Sequence, residues 1–348
     1  MTNVKKMTQE VQESKRRLQF GGAPRTASDQ KSGAYNRLFE DCQLCPRHCG
    51  ANRSRGEETT ALGFCGESDS LRVAYVGPHH GEEPPITGRY GSGTIFFTGC
   101  SLRCTYCQNG QISRDGVGRT LNIAELYREV DEMIQRVRVH NINLVTPDHF
   151  FPQALHLVSL CRKNGLHLPV VWNVSGYQSM AMLRDVEQYA DVYLPDFKYA
   201  DATMAAALSS CRDYPQVALE AIVEMVKQKG FLDPAGDADT PAQKGVLVRH
   251  LILPGAVENS IRALTTLFLE FGPRLPLSLM SQYTPVRRLG DPNLNRFITQ
   301  GEFDRVYGHA LELGFEHLYV QFPEGRTPNQ REGSPFLPDF NRSNPFGQ

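Results

Sequence analysis

The sequence predicts an α/β fold, a partial (β/α)6-type open barrel with a cysteine-rich N-terminal extension. Two observations carry this. Between residues 94 and 321 strand-like and helix-like segments alternate, the order expected of consecutive βα units whose strands lie parallel. Seven of the nine cysteines fall into two tight groups, Cys42, Cys45, Cys49 and Cys65 ahead of this region and Cys100, Cys104 and Cys107 just inside it. Clustered thiols in a chain of this size favour metal or redox chemistry over a disulfide framework.

Taken in order, residues 1–37 are polar, with Lys5-Lys6 and Lys15-Arg16-Arg17 set among Gln, Ser and Gly. So little apolar surface predicts a mobile tail. Residues 38–75 hold the four-cysteine group and end in the strand candidate Leu71–Val76. Glycine and proline make 77–93 a loop. The barrel, 76–323, has strand candidates at 94–98, 142–146, 169–174, 191–196, 246–252, 276–281 and 317–321. Helix candidates lie near 123–138, 151–164, 178–189, 214–229, 256–271 and 302–313. In the last of these Phe303, Val306, Tyr307, Ala310 and Leu313 recur at helical spacing. Six or seven such units suit an open barrel better than a closed eight-unit one. Residues 230–245 read as a surface loop, and 324–348, rich in Pro, Asn and Gly, as a poorly packed tail.

Composition narrows the partners. Lysine plus arginine number 37 against 38 acidic residues in 348, which gives no electrostatic footprint for nucleic acid. No run approaches the roughly 18–20 apolar residues that span a bilayer. Met1–Glu13 lacks the apolar core and cleavage site of a signal peptide, so the expected location is the cytoplasm. Cys161 and Cys211 stand alone and read as packing residues.

The segment Phe96-Phe97-Thr98-Gly99-Cys100-Ser101-Leu102-Arg103-Cys104-Thr105-Tyr106-Cys107 carries the most chemistry. Three thiolates can each hold one iron of a cubane [4Fe–4S] cluster, which leaves the fourth iron without a protein ligand. Structural zinc would want a fourth ligand, and no histidine is near. This loop, with Tyr106 before its last cysteine, resembles the radical S-adenosylmethionine superfamily. The runs Gly91-Ser92-Gly93-Thr94-Ile95-Phe96-Phe97 and Cys107-Gln108-Asn109-Gly110 are similar to its pyruvate formate-lyase activating enzyme-like branch. So are Cys42-Gln43-Leu44-Cys45-Pro46-Arg47-His48-Cys49-Gly50 and His80-Gly81-Glu82-Glu83-Pro84. The resemblance spans roughly residues 40–320. It implies that S-adenosylmethionine chelates the open iron and is cleaved reductively to a 5′-deoxyadenosyl radical, the cofactor carrying the chemistry that the protein orients. It also implies an oxidoreductase of the activating-enzyme kind, fed by a donor such as flavodoxin or ferredoxin.

In barrels of this type the C-terminal strand ends point at the reaction. The resemblance puts Tyr106 near the adenine and Lys198, in Asp196-Phe197-Lys198, at the methionine carboxylate, a role suited to a flexible point charge. Where the superfamily often has Gly-Gly-Glu, this chain has Thr146-Pro147-Asp148-His149. That leaves Thr146, Asp148 or His149 to hold the methionine amino group, with Asp148 alternatively a helix N-cap. Asn173 and Ser175 end the third strand and could hydrogen-bond a ribose or carboxylate, or form a capped turn. Arg249, a charge within an apolar strand, is expected to face a ligand. Met280-Ser281-Gln282-Tyr283 and Gln321 are further candidates, and the His and Glu pairs of residues 79–83 could bind metal or move protons.

Cys42, Cys45, Cys49 and Cys65 provide four thiolates, enough to close a tetrahedral zinc or second iron–sulfur site. The leading expectation is a radical enzyme that abstracts hydrogen. It would act either as a glycyl-radical enzyme activase or on a small molecule or peptide, for example as an epimerase. The competing class is a non-catalytic iron–sulfur or zinc scaffold or electron carrier.

Overall fold

A computed structural model describes residues 37–54, 62–233, 240–323 and 337–347. The tail expected over 1–37 lies outside them but for its last residue, as does most of the 324–348 segment.

The expected strands form, one exposed two-residue strand joins them, and the 246–252 segment is split in two. They are β1 (Arg72–His79), β2 (Ser92–Phe97), β3 (Arg119–Thr120), β4 (Ile142–Val145), β5 (Val170–Val174), β6 (Val192–Pro195), β7 (Gly245–Val246), β8 (Val248–Leu251), β9 (Leu277–Met280) and β10 (Leu318–Val320). β2, β4, β5 and β6 are buried at every position, as parallel strands covered on both faces should be. They pair in parallel in the order β2-β4-β5-β6-β7. A second parallel sheet, β8-β9-β10, continues from the first through the bridge between Asp196 and Arg249. The result is the open, barrel-like run of parallel strands that the alternation implied, with all their C-terminal ends on one side.

The helices Ile123–Val137, Phe151–Lys163, Met180–Val186, Tyr214–Lys229, Val257–Phe271 and Gln300–Leu313 lie where expected. Helix Ala202–Ser209 was not foreseen. Its Ala-rich sequence has no amphipathic stripe to read; it is started instead by Asp201, whose side chain accepts from Thr203 N at 2.7 Å and Met204 N at 2.9 Å.

Two stretches differ from expectation. β1 extends to His79 and pairs antiparallel with β2, Gly77 opposite Thr94 and His79 opposite Ser92, and Pro84–Thr87 forms one helical turn. Beyond Val73 only β2 flanks β1, and an edge position tolerates Pro78. Residues 337–347 are not poorly packed. Phe340 is buried, its ring 5.4 Å from that of Phe96, and Phe346 lies 4.0 Å from the His79 ring. Gln111 ties the segment down by donating to Asp339 (3.1 Å) and accepting from Phe340 N (2.8 Å). Among the described residues no helix is long and apolar enough to cross a membrane.

Candidate active site at the strand ends

The cysteine loop leaves β2 through Gly99, in the left-handed region at φ 75°. A Cβ there would stand 2.5 Å from Glu67 Cγ and 2.8 Å from Cys65 O, so the close approach requires glycine. Cys100 N donates to Cys65 O at 3.2 Å, and Thr105 N to Leu208 O at 2.8 Å. The loop is thereby pinned to the N-terminal cysteine segment on one side and to helix Ala202–Ser209 on the other. All nine cysteines are free thiols.

The donor set suits an iron–sulfur cluster. Burial, then the neighbouring Cys104 and Cys107, push the Cys100 thiol up to about 12. Burial and Cys104 also raise Cys107. Thiolates crowded in this way are stable only beside cationic charge, which a metal supplies. Each sulfur also has a donor. Leu102 N reaches Cys100 Sγ (3.3 Å), Ser209 Oγ reaches Cys104 Sγ (3.0 Å), and the Asn109 backbone serves Cys107. Among the described residues no three His, Cys, Asp or Glu side chains surround a single metal position; a cubane holds each thiolate on a different iron.

Cys104 and Cys107 open onto a cavity of about 220 Å³. The same cavity is lined by a knot of buried charge. Arg249 Nε donates to Asp196 Oδ1 (2.8 Å) and Nη2 to Asn173 Oδ1 (2.7 Å). Arg249 Nη1 lies 3.4 Å from Glu82 and 3.9 Å from Glu83. Lys198 Nζ meets Asp196 Oδ2 at 2.5 Å. Burial alone would raise the Asp196 carboxyl, but Arg249 and Lys198 outweigh it and hold it below the ordinary range. For Glu82 and Glu83 burial wins over Arg249, and both are raised. A second cavity of about 390 Å³ shares Gly81, Glu82, Arg249, Met280 and Gln282 with the first and reaches Tyr319 on β10 and Gln321 just past it.

Of the residues expected to contact a cofactor, Tyr106, Asn173, Asp196, Lys198 and Arg249 line the first cavity. Thr146, His149 and Ser175 are not brought there. Thr146 adopts the left-handed conformation (φ 56°) and swings the short helix Asp148–Phe150 toward the N-terminal cysteines. The His149 ring meets Thr98 O at 2.5 Å, and burial drives its pKa down to about 3. Burial pushes Asp148 up to about 7, with Gln178 Nε2 donating to it at 3.0 Å. Ser175 turns its hydroxyl to Tyr177 N (3.4 Å) and its carbonyl to Tyr214 OH (2.8 Å), so it serves as the turn. His250, beside Arg249, is a buried neutral core residue between Phe197 O and Ser260. Met280 and Gln282, named as further candidates, also line the cavity, and so do Glu82, Gln108 and Phe346, which had not been singled out as ligand-contacting residues. Only the polarity of Gly81-Glu82-Glu83 before a strand hinted at the first of them.

Cys42, Cys45 and Cys65 are buried and Cys49 is exposed. The wholly buried Arg53 organises them, donating to Glu67 O, Ser68 O and His149 O at 2.7–3.0 Å and to Cys42 Sγ at 3.5 Å. Burial first, then Cys65 and Cys42 nearby, push Cys45 up to about 12. From the same segment Arg47 reaches the cysteine loop itself, at Ser101 O (2.8 Å).

The C-terminal segment closes one side of the cavity with Pro338 and Phe346. Burial, then His80, lower the His79 pKa to about 4. A folded pKa below the unfolded value of about 6.5 costs stability as pH falls from that value toward 4. Phe346→Ala should wet the ring and return its pKa most of the way to the ordinary value, a change of a pH unit or more in an NMR titration. A ring still titrating near 4 would mean that the segment does not seal this wall.

Residues 94–265 match the family model described as the Radical SAM superfamily. Over 300 residues the chain is 25% identical to an uncharacterized protein of Methanocaldococcus jannaschii, covering 84% of this chain and 80% of that protein. Among solved structures it is similar to SuiB of Streptococcus suis bound to S-adenosylmethionine (10% identity, TM-score 0.44, 65% of this chain and 48% of that one). It is also similar to methylornithine synthase (12% identity, TM-score 0.43, 89% and 88%). The matched region thus spans about half the length of SuiB.

Proposed function

The chain carries a Radical SAM superfamily domain, and we propose that it binds a [4Fe–4S] cluster through Cys100, Cys104 and Cys107 and S-adenosylmethionine in the adjoining cavity, to take a hydrogen atom from a substrate. The observation that carries this is the opening of Cys104 and Cys107 onto a cavity that Asn173, Asp196, Lys198 and Arg249 also line. When bound, cluster and S-adenosylmethionine supply a 5′-deoxyadenosyl radical. The chain's own part is to bind, orient and exclude water. Lys198 presents a cation for a carboxylate while Asp196 holds it in place. Asn173 is fixed between Arg249 and Glu82, and offers its amide at the strand end. Tyr106, Phe96 and Phe346 make the apolar wall.

From the resemblance of Gly91–Gly110 and Cys42–Gly50 we further propose that the hydrogen comes from a backbone glycine of a partner enzyme, with an electron donor of the flavodoxin or ferredoxin kind. The second cavity supports this by giving room beside the first for an inserted loop. Cys42, Cys45, Cys49 and Cys65 are proposed as a second metal site, a further cluster rather than zinc, since among the described residues no three such side chains surround a single metal position.

The reading is tested on anaerobically reconstituted protein reduced with dithionite in the presence of S-adenosylmethionine. 5′-Deoxyadenosine should accumulate. An intact, reduced cluster that yields none, with or without a candidate glycyl-radical enzyme, would sink the proposal in favour of a scaffold or electron carrier. Turnover with a small molecule but not with the protein partner would replace the activase reading alone.

A further inference from the structure

We infer that Ser209 raises the reduction potential of the cluster, through the hydrogen bond it gives to Cys104. This rests on the cluster assignment above and goes beyond it. Ser209 Oγ is 3.0 Å from Cys104 Sγ, and the residue is 2% exposed, so water does not compete for the serine hydroxyl.

The bond does not stand alone. The Tyr199 hydroxyl, also buried, lies 2.8 Å from Ser209 Oγ and 2.9 Å from the hydroxyl of Tyr106. Each hydroxyl has one proton to give. A metal-bound Cys104 sulfur has none, and the Ser209 hydroxyl donates to it. Tyr199 donates to Tyr106 and packs its oxygen against the Ser209 hydroxyl. The two buried tyrosines thus hold the Ser209 hydroxyl in place beside the sulfur.

Position is enforced as well. Ser209 ends helix Ala202–Ser209, and Ser210 follows in the left-handed conformation (φ 49°). Arg47 donates to the carbonyls of Ser209 (2.6 Å) and Ser210, a cation placed where the helix dipole favours one. With Thr105 N on Leu208 O, the helix end is fixed to the cysteine loop at two points. A donor on a cluster-ligand sulfur favours the more negative, reduced state, and hydrogen bonds of this kind are a recognised lever on potential. Ser209, with Arg47 behind it, is therefore a positioning residue for electron entry, and the N-terminal segment bears on the cluster through it.

The test is a potentiometric titration of the reconstituted holoprotein without S-adenosylmethionine, read by EPR of the reduced cluster. Ser209→Ala should lower the reduced-to-oxidised ratio at fixed potential about tenfold, a fall of ~59 mV for a one-electron couple. Ser209→Thr should restore most of it. Should the alanine variant fail to load iron, Tyr199→Phe carries the same test, with a smaller shift in the same direction. A midpoint unmoved by Ser209→Ala, or moved equally by Ser209→Thr, overturns the inference. Iron analysis of the wild type comes first. Its failure to load a cluster on the three cysteines would overturn the cluster assignment itself, a result distinct from an unmoved potential.

Discussion

Cys104→Ala is expected to bring 5′-deoxyadenosine formation down to background, a loss of at least about a thousandfold or ~4 kcal/mol of barrier. About four iron per chain should go with it, since a cubane with two protein ligands is not retained. The effect is large because Cys104 has two functions at once. It is the middle ligand of the loop, and it is the sulfur on which Ser209 and the buried tyrosines converge. Alanine removes the ligand and leaves that hydroxyl chain without a terminal acceptor. Cys161→Ala is the matched control. Cys161 is equally buried, on helix Phe151–Lys163 away from both groups, and its replacement should cost packing but not product. Metal kept by the Cys104→Ala protein reports on Cys42, Cys45, Cys49 and Cys65. Residual iron supports the second cluster, about one zinc would make the site zinc instead, and no metal removes it. Equal product from the two variants would mean that the loop does not hold the reactive cluster.

The features legible in the sequence were those written in short range. Three cysteines spaced three and two residues apart need only one loop to meet. Strands β2, β4, β5, β6 and β9 announce themselves as short apolar runs, so the order of βα units could be read directly, whereas β3, an exposed Arg-Thr pair, carries no such signal. What could not be read depends on backbone conformation or on distant partners. Thr146 is a β-branched residue in the left-handed region, which is rare enough that a continuing turn toward the cavity was the natural expectation. One dihedral change sent His149 to the other side of the strand. Arg249 was rightly picked as a charge needing a reason, but its partners Glu82, Glu83 and Asn173 lie 76 to 167 residues away where hydrogen bonds connect them. Composition likewise misjudged the C-terminal segment, because two phenylalanines in a polar stretch are enough to dock it when a complementary groove at Phe96 and His79 exists.

Arg249→Met should destabilise the fold by about 3–5 kcal/mol at pH 8, the range for stripping one partner from a buried ion pair. The side chain is 14% exposed, and the carboxylates it serves, Glu82, Glu83 and Asp196, are 7%, 8% and 14% exposed. Without it Glu82 and Glu83 keep neutral donors, Asn173 and Ser278, and Lys198, which already meets Asp196, is the cation left beside the three among the described residues. The pH dependence distinguishes this account from a simple packing defect. Glu82 and Glu83 have folded pKa values above the unfolded value of about 4.3, so their contribution is present at low pH and lost as pH rises through those values. Asp196 is depressed, so its contribution is present above about 3.9 and lost as pH falls through its folded value. Removing the guanidinium raises all three. Asp196 loses its stabilising shift, and the glutamates become costlier to ionise. Protonation relieves that cost, so the deficit measured by urea unfolding should shrink from pH 8 to pH 5.5. Arg249→Lys should fall between wild type and Met, because an ammonium supplies the charge but not the fork that bridges Asp196 and Asn173. A deficit of the same size at both pH values would mean that the three carboxylates do not depend on Arg249 for their charge.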